Sequence, residues 1–291
     1  MIDSSFLDEL EQFELLVKRR VSSLYAGERS STKMGRGVEV VDFREYYPGD
    51  DFRLIDWKVY ARTDKLYIKR FMEERDLTMH LLVDSSNSMD FGTKKITKYD
   101  YAGSLAAGFG FVGVENQEKF AFGLYSSHLK QVSPQGKDRL HLMRILDLLN
   151  NAQLSGKTNL GQSSAMYNRF VKTKSYFIVL SDFLEPLHQI REGVHRLSRQ
   201  SIDLTLIQVL DPLEKNLGLE MDVKLEDLET SQQRKCFISP GFRQEYQGRL
   251  KQHISSVADI CRDFNANFIS VTTDQSLMNV FVELMGGWRR G

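Results

Sequence analysis

The chain has no net charge and few cysteines, and both features exclude whole classes of protein. Its 39 basic side chains balance 39 acidic ones, so it lacks the basic excess that broad electrostatic binding to nucleic acid or anionic lipid requires. Its two cysteines, Cys236 and Cys261, are far apart and form no CxxC motif. This spacing excludes a zinc framework and a disulfide scaffold, and two reduced thiols are typical of a cytoplasmic protein.

Long apolar stretches and a targeting segment are also missing. No run approaches the roughly 18 apolar residues that a membrane span needs. The N-terminal residues MIDSSFLDELEQF have neither a basic region nor an apolar one, as a signal peptide would. With 291 residues, of which 41% are hydrophobic, the chain can form one large core. We therefore expect a soluble, cytoplasmic protein without a membrane span.

Two segments precede the main domain. Apolar residues recur every three or four positions from Phe6 to Leu24, which predicts an amphipathic helix within residues 1–30. Residues 31–76 are rich in Arg, Asp and aromatics around the turn signal Tyr47-Pro48-Gly49-Asp50-Asp51. We interpret this segment as a β-ribbon held together by Arg–Asp ion pairs.

From residue 77 to 291, apolar strand patterns alternate with helical ones. LTMHLLVD, KFAFGLYS, SYFIVLSD, DLTLIQVL and ANFISVTT predict strands, and amphipathic or small-residue segments between them predict helices. A hairpin insertion is predicted around 214–240. This order indicates an α/β fold with a mostly parallel, Rossmann-like sheet and helices on both faces.

Oxygen-bearing side chains follow the predicted strands where parallel sheets bind ligands. The stretch DSSNS places Asp84, Ser86 and Ser88 at alternate positions, Thr158 precedes a helix, and Asp182 ends a strand. Hydroxyls and carboxylates without nitrogen ligands suit a hard cation such as Mg²⁺, with Mn²⁺ or Ca²⁺ as alternatives. The simpler alternative is that DSSNS merely caps a helix. A site of this kind can also lack its metal where partner contacts have replaced it.

The pattern Asp-x-Ser-x-Ser, a distant Thr and a strand-ending Asp resembles the metal-ion-dependent adhesion site of von Willebrand factor A domains. All five positions match: Asp84, Ser86, Ser88, Thr158 and Asp182. The resemblance implies a von Willebrand factor A-like fold. It also implies a metal that bridges to an acidic residue of a partner protein.

The Arg/Asp-rich segment narrows the resemblance. It contains Arg44-Glu45-Tyr46, then GDDFRLIDW at 49–57, then Ala61-Arg62, and DLET occurs at 227–230. These motifs are similar to those of the bacterial domain-of-unknown-function family 58, from about residue 35 to the end of the chain. That resemblance implies partnership with a MoxR-type AAA+ ATPase, which such a protein would serve as an adaptor or cochaperone for a client.

An enzymatic role finds little support in the sequence. Aspartate-nucleophile phosphatases carry a second carboxylate two residues after the first as general acid, and Ser86 stands at that position. No GxSxG elbow and no GxxxxGK[ST] loop occur. We therefore expect a non-enzymatic binding module with no catalytic residues. A metal-dependent, phosphatase-like hydrolase that uses Asp84 is the alternative.

Overall fold

The computed structural model describes residues 40–71, 77–93, 96–217, 222–226, 233–237 and 240–287. The predicted helix within residues 1–30 and the predicted boundaries at residues 30 and 76 lie outside these ranges. The chain divides into two compact units, one containing Leu16–Asp76 and the other containing Leu77–Gly291. Each unit is a separate part of the fold.

The strands are β1 (Val40–Glu45), β2 (Tyr67–Phe71), β3 (Thr78–Asp84), β4 (Lys119–Tyr125), β5 (Leu129–Gly136), β6 (Ser175–Ser181), β7 (Ser201–Leu210), β8 (Asp222–Glu226), β9 (Gln233–Phe237) and β10 (Asn267–Thr272). The helices are α1 (Trp57–Thr63), α2 (Lys98–Glu115), α3 (Arg139–Asn150), α4 (Leu160–Tyr167), α5 (Leu187–Ser198), α6 (Pro212–Asn216), α7 (Pro240–Asp263) and α8 (Leu277–Gly287).

A six-stranded sheet in the order β10-β7-β6-β3-β4-β5 forms the centre of the larger unit. Its pairs are parallel except for β4 with β5. Alternate residues of a strand point to opposite faces, and β3 shows the result. Leu81 and Val83 join a core that includes residues of α2, α3 and α8, whereas Leu82 joins a core with α4, α5 and α7. The predicted α/β fold with a mostly parallel sheet and helices on both faces is confirmed.

The edge strand β5 was not predicted from the sequence. It carries Pro134, which removes a backbone donor and disfavours a strand interior. The pairing of β5 with β4 is irregular here, because Phe120 faces Gly136 but Phe122 faces Ser133. The proline therefore lies in a bulge of an edge strand, a position where a missing N–H is tolerated.

The smaller unit pairs β1 with β2 antiparallel. The Arg44 guanidinium donates to both oxygens of Asp50, at 2.9 and 2.6 Å. This side-chain hydrogen bond lowers the pKa of Asp50 below its ordinary value. Between the strands lies α1, where the sequence predicted short strands. The carboxylate of Asp56 accepts from the backbone of Lys58 and Val59, so this aspartate caps a helix.

His80 is a histidine of β3 with a buried side chain. It is 1% exposed, its ring stacks on Phe177 at 4.9 Å between centroids, and its Nδ1 is hydrogen-bonded to the Tyr167 hydroxyl at 2.9 Å. Burial lowers the pKa of His80 to about 4. The folded protein therefore holds this imidazole neutral at pH values where an unfolded chain would protonate it.

We expect this histidine to contribute to acid destabilisation. As the pH falls from 7 to 4, the unfolded chain gains a proton near pH 6.5 that the folded chain takes up only near pH 4. The free energy of unfolding should then fall by about 3 kcal/mol from this group alone. Urea unfolding at pH 7, 5.5 and 4 should show a smaller loss in His80→Leu/Tyr167→Phe than in the control Tyr167→Phe. Equal losses in the two variants would contradict this account.

Candidate metal-binding site

The carboxyl ends of β3 and β6 bring the predicted site residues together. The two strands are parallel neighbours, with Val83 opposite Leu180, so Asp84 and Ser181 follow at the same edge of the sheet. Ser181 donates its hydroxyl to Asp84 Oδ2 at 2.6 Å. Asp182 comes directly after β6, at this same end.

Asp84 is the centre of the cluster. Its Oδ2 accepts from the Thr158 hydroxyl at 2.9 Å as well as from Ser181, and its Oδ1 accepts from the Ser86 backbone N–H at 2.8 Å. The Ser86 and Ser88 hydroxyls are 3.0 Å apart. Thr158 thus reaches Asp84 across 74 positions of sequence. Four of the five predicted residues, Asp84, Ser86, Ser88 and Thr158, are linked by these contacts.

Asp182 joins the cluster through its charge. Burial first, and then the charge of Asp182, raise the pKa of Asp84 to about 6. Asp84 is fully buried and forms no ion pair with a basic side chain of the described residues. At longer range its charge acts on Lys130, where it partly offsets the lowering of the lysine pKa by burial. A buried carboxylate with three hydrogen-bond donors and no counter-charge in direct contact is a place where a cation would be favourable.

Hydrogen bonds connect the loop that contains Ser86 and Ser88 to the loop that carries Thr158. The N–H of Asn87 donates to the Gly156 carbonyl at 3.0 Å, and the N–H of Ser155 donates to the Ser85 carbonyl at 3.0 Å. The ammonium of Lys130 donates to the carbonyls of both Ser85 and Ser155, at 3.0 and 2.9 Å. These bonds fix the DSSNS loop against the loop that carries Thr158.

The first turn of α4, the helix that follows Thr158, is held by a carboxylate from outside the helix. Asn159 caps α4 by accepting from Gln162 N–H at 2.8 Å. The Glu185 carboxylate accepts from the Leu160 N–H at 3.0 Å. The first turn of α4, and Thr158 just before it, are therefore tied to the chain that leaves β6.

Lys98, which the sequence analysis missed, is a basic residue in direct contact with Asp182. Its ammonium donates to Asp182 Oδ2 at 2.9 Å and to Glu214 Oε1 at 2.6 Å. Burial alone would lower the pKa of Lys98, but the charges of Asp182 and Glu214 raise it above its ordinary value. The sequence contains a signal that could have revealed the role of Lys98, since Lys98, Ala102 and Leu105 share a face of α2. A lysine on an otherwise apolar face indicates a buried ion pair.

The donor set fits a hard divalent cation. Mg²⁺–O bonds of about 2.1 Å place neighbouring ligands of an octahedron about 3.0 Å apart, and the Ser86–Ser88 hydroxyl distance is 3.0 Å. In the part of the chain that the structure describes, no group of three or more His, Cys, Asp or Glu is placed to hold a metal. A site here would depend on hydroxyls together with Asp84 and Asp182.

A family comparison covers most of the chain. The family described as "Protein of unknown function DUF58" matches residues 42–256. The chain belongs to the DUF58 family. The family membership that the Arg/Asp-rich motifs predicted is thereby confirmed. Among the described residues, this DUF58 protein has no helix long and apolar enough to cross a bilayer.

Relatives occur in mycobacteria. The chain is 28% identical over 292 residues to "Uncharacterized protein Rv1480" of Mycobacterium tuberculosis (strain ATCC 25618 / H37Rv), across 99% of this chain and 92% of that protein. It is equally similar to "Uncharacterized protein Mb1516" of Mycobacterium bovis. A shorter match, 25% identical over 154 residues, is "Uncharacterized protein MAV169" of Mycobacterium avium, across 53% of this chain and 90% of that protein.

Solved structures with a similar chain trace include two proteins of low identity. One is the conserved hypothetical protein BatB from Bacteroides thetaiotaomicron, with a TM-score of 0.45, 13% identity, and coverage of 74% of this chain and 100% of that one. The other is the SpRpn10 VWA domain, with a TM-score of 0.46, 10% identity, and coverage of 72% and 94%.

Proposed function

We propose that this DUF58 protein is a non-enzymatic protein-interaction module. Its site at the ends of β3 and β6 would hold Mg²⁺, or Mn²⁺ or Ca²⁺, and bind an acidic residue of a partner. The observation that carries the proposal is Asp84, a buried carboxylate with three hydrogen-bond donors and no ion pair to a basic side chain among the described residues. The adjacent hydroxyl pair of Ser86 and Ser88 supplies further hard oxygen ligands.

The residues of the site divide into two kinds by their chemistry. The hydroxyl oxygens of Ser86, Ser88 and Thr158 are neutral ligands that would bind the cation directly. Asp84 and Asp182 would supply charge, either directly or by holding waters of the cation. When bound, the cation would supply an electrophilic position that a carboxylate oxygen of the partner can occupy. Because the neutral hydroxyl ligands do not cancel the positive charge of the cation, that position would strongly attract an incoming carboxylate.

The partner that the family resemblance suggests is a MoxR-type AAA+ ATPase, with this protein acting as its adaptor or cochaperone toward a client. Both would meet in the cytoplasm. A site that takes one carboxylate needs an exposed Asp or Glu on the partner, rimmed by residues that complement the surrounding surface. The site would then contribute specificity as well as affinity.

Hydrolysis that starts from Asp84 is the competing function, and the geometry gives it little support. Asp84 is fully buried, and Ser86 stands where an aspartate-nucleophile phosphatase carries its general acid. A nucleophile must be accessible to its substrate. Turnover of an aryl phosphate with Mg²⁺ that disappears in Asp84→Asn would favour the hydrolase over the binding module.

A capture experiment tests the proposal. Tagged protein would be mixed with lysate of the source bacterium, with Mg²⁺ or with EDTA, and the bound proteins identified by mass spectrometry. We expect a MoxR-type ATPase with Mg²⁺, little of it with EDTA, and little in Asp84→Ala or Asp182→Ala. Asp147→Asn, a change at an exposed position of α3, is the control. The same ATPase in every lane would contradict a metal-bridged contact.

A further inference from the structure

Lys98 is a fully buried lysine placed between two carboxylates at the edge of the candidate site. It is the first residue of α2, and it is 0% exposed. Its ammonium lies 2.9 Å from Asp182 Oδ2 and 2.6 Å from Glu214 Oε1. Burying an ammonium requires compensation at close range. The two carboxylates supply that compensation, because both contact the ammonium.

Each oxygen of the Asp182 carboxylate accepts one hydrogen bond, and one of the two donors is an ammonium group. Lys98 occupies Oδ2, and the Leu184 N–H donates to Oδ1 at 3.2 Å. The Asp182 carbonyl accepts from the Gln208 side-chain amide at 2.8 Å. Each carboxylate oxygen keeps a free lone pair, but the Lys98 ammonium, 2.9 Å from Oδ2, would repel a cation that approached Asp182 directly.

Glu214 holds the ammonium in place from the other side. Its second oxygen, Oε2, accepts from the Asp211 N–H at 2.9 Å. Asp211 and Glu214 form a capping box at the start of α6, which orients both carboxylates. Lys98 is thus anchored to a fixed acid that lies outside the predicted ligand set, and it does not depend on Asp182 alone.

We propose that Lys98 is a built-in counter-ion that withholds Asp182 from direct contact with a divalent cation and keeps the cation affinity of the free site low. The inference rests on the proposed function. A free site with low affinity would retain its cation firmly only when a partner carboxylate completes the coordination. Cation binding and partner binding would increase each other's affinity through the shared carboxylate, and Lys98 would make the free site depend on that contribution.

The charges permit a variant that separates this role from net charge. Asp84, Asp182, Glu214 and Lys98 together carry a formal charge of −2. The double variant Lys98→Met/Glu214→Gln keeps that charge, because it removes one positive and one negative group. It also avoids a carboxylate at position 214 left without its ammonium partner, while Asp182 loses the ammonium and becomes free to contact the cation. The single variant Glu214→Gln keeps the Lys98 ammonium, whose remaining charged partner is then Asp182.

The measurement is Mn²⁺ binding to the purified full chain, followed by the electron paramagnetic resonance signal of free Mn²⁺. We expect the double variant to bind Mn²⁺ about tenfold more tightly than the wild type, and Glu214→Gln to bind more weakly. Thermal unfolding in EDTA establishes that each variant is folded. A merely structural role for Lys98 predicts unchanged or weaker binding in the double variant, and that result would overturn the inference.

Asp84→Asn in each background distinguishes the two proposals. Binding that depends on Asp84 but is no tighter in the double variant would refute the role of Lys98 and leave the site standing. Binding that Asp84→Asn leaves unchanged in every background would overturn the proposed site, and the inference about Lys98 with it.

Discussion

Asp84→Asn is expected to weaken Mn²⁺ binding by about 100-fold and, in EDTA, to make the protein more stable than the wild type. The loss of affinity follows because the variant removes the charge at the centre of the cluster. The shape is preserved, since an amide can accept from the Ser86 N–H and donate to the hydroxyls of Thr158 and Ser181. The fold should therefore survive the change.

The gain in stability follows from the environment of the carboxylate. Its folded pKa of about 6 exceeds the ordinary value of 3.8, so ionised Asp84 destabilises the folded state. This destabilisation is complete above pH 6. It decreases as the pH falls from 6 towards 3.8, because the folded state binds the proton first, and it disappears below 3.8, where both states are protonated. We expect Asp84→Asn to raise the free energy of unfolding by up to about 3 kcal/mol at pH 7.5, and by little at pH 3.5.

Urea unfolding in EDTA and in Mg²⁺ measures both effects. Saturating Mg²⁺ should stabilise the wild type and leave Asp84→Asn unchanged, because a ligand stabilises only the state that binds it. Asp147→Asn makes the same chemical change at an exposed position and should alter neither quantity. If Asp84→Asn lost stability in EDTA, the buried charge would be compensated by something other than a bound cation.

The convergence of the candidate-site residues could be predicted from the sequence because it follows from chain direction. Asp84 and Asp182 each end an apolar strand pattern, and parallel strands end at the same edge of a sheet. Thr158 could be added because it directly precedes a helix. Hydroxyl and carboxylate residues at such positions need no knowledge of side-chain packing to be recognised.

The electrostatic partners of the site could not be predicted in the same way. Lys98 and Glu214 are 116 positions apart, and their contact depends on how α2 and the turn after β7 pack at the sheet edge. The edge strand β5 was missed for a different reason, since Pro134 disguises a strand that a bulge makes acceptable. Long-range packing, unlike strand direction, leaves little local pattern.

Helix packing behind Thr158 makes a second large effect predictable. Gly193 of α5 lies against Leu160, the first residue of α4 and two positions after Thr158. A Cβ at Gly193 would lie 2.4 Å from Leu160 Cγ and 3.0 Å from its carbonyl carbon. Leu160 is fully buried, and its N–H is bonded to Glu185, so this residue has little room to move.

Gly193→Ala should therefore push α4 away from α5. Overpacking should lower the free energy of unfolding by about 1–3 kcal/mol. The shift should also move the Thr158 hydroxyl relative to Asp84, and a displacement of a few tenths of an ångström should weaken Mn²⁺ binding by about tenfold. Urea unfolding and the Mn²⁺ titration together measure the two consequences.

Gly248→Ala is the matched control. Gly248 is exposed in α7, and a Cβ there would meet no atom within 4 Å. This substitution should stabilise the protein by up to about 1 kcal/mol through helix propensity and leave Mn²⁺ binding unchanged. If Gly193→Ala matched this control in both measurements, Leu160 would have relaxed without moving Thr158. If stability fell but affinity did not, the helix pair would support the fold without positioning the site.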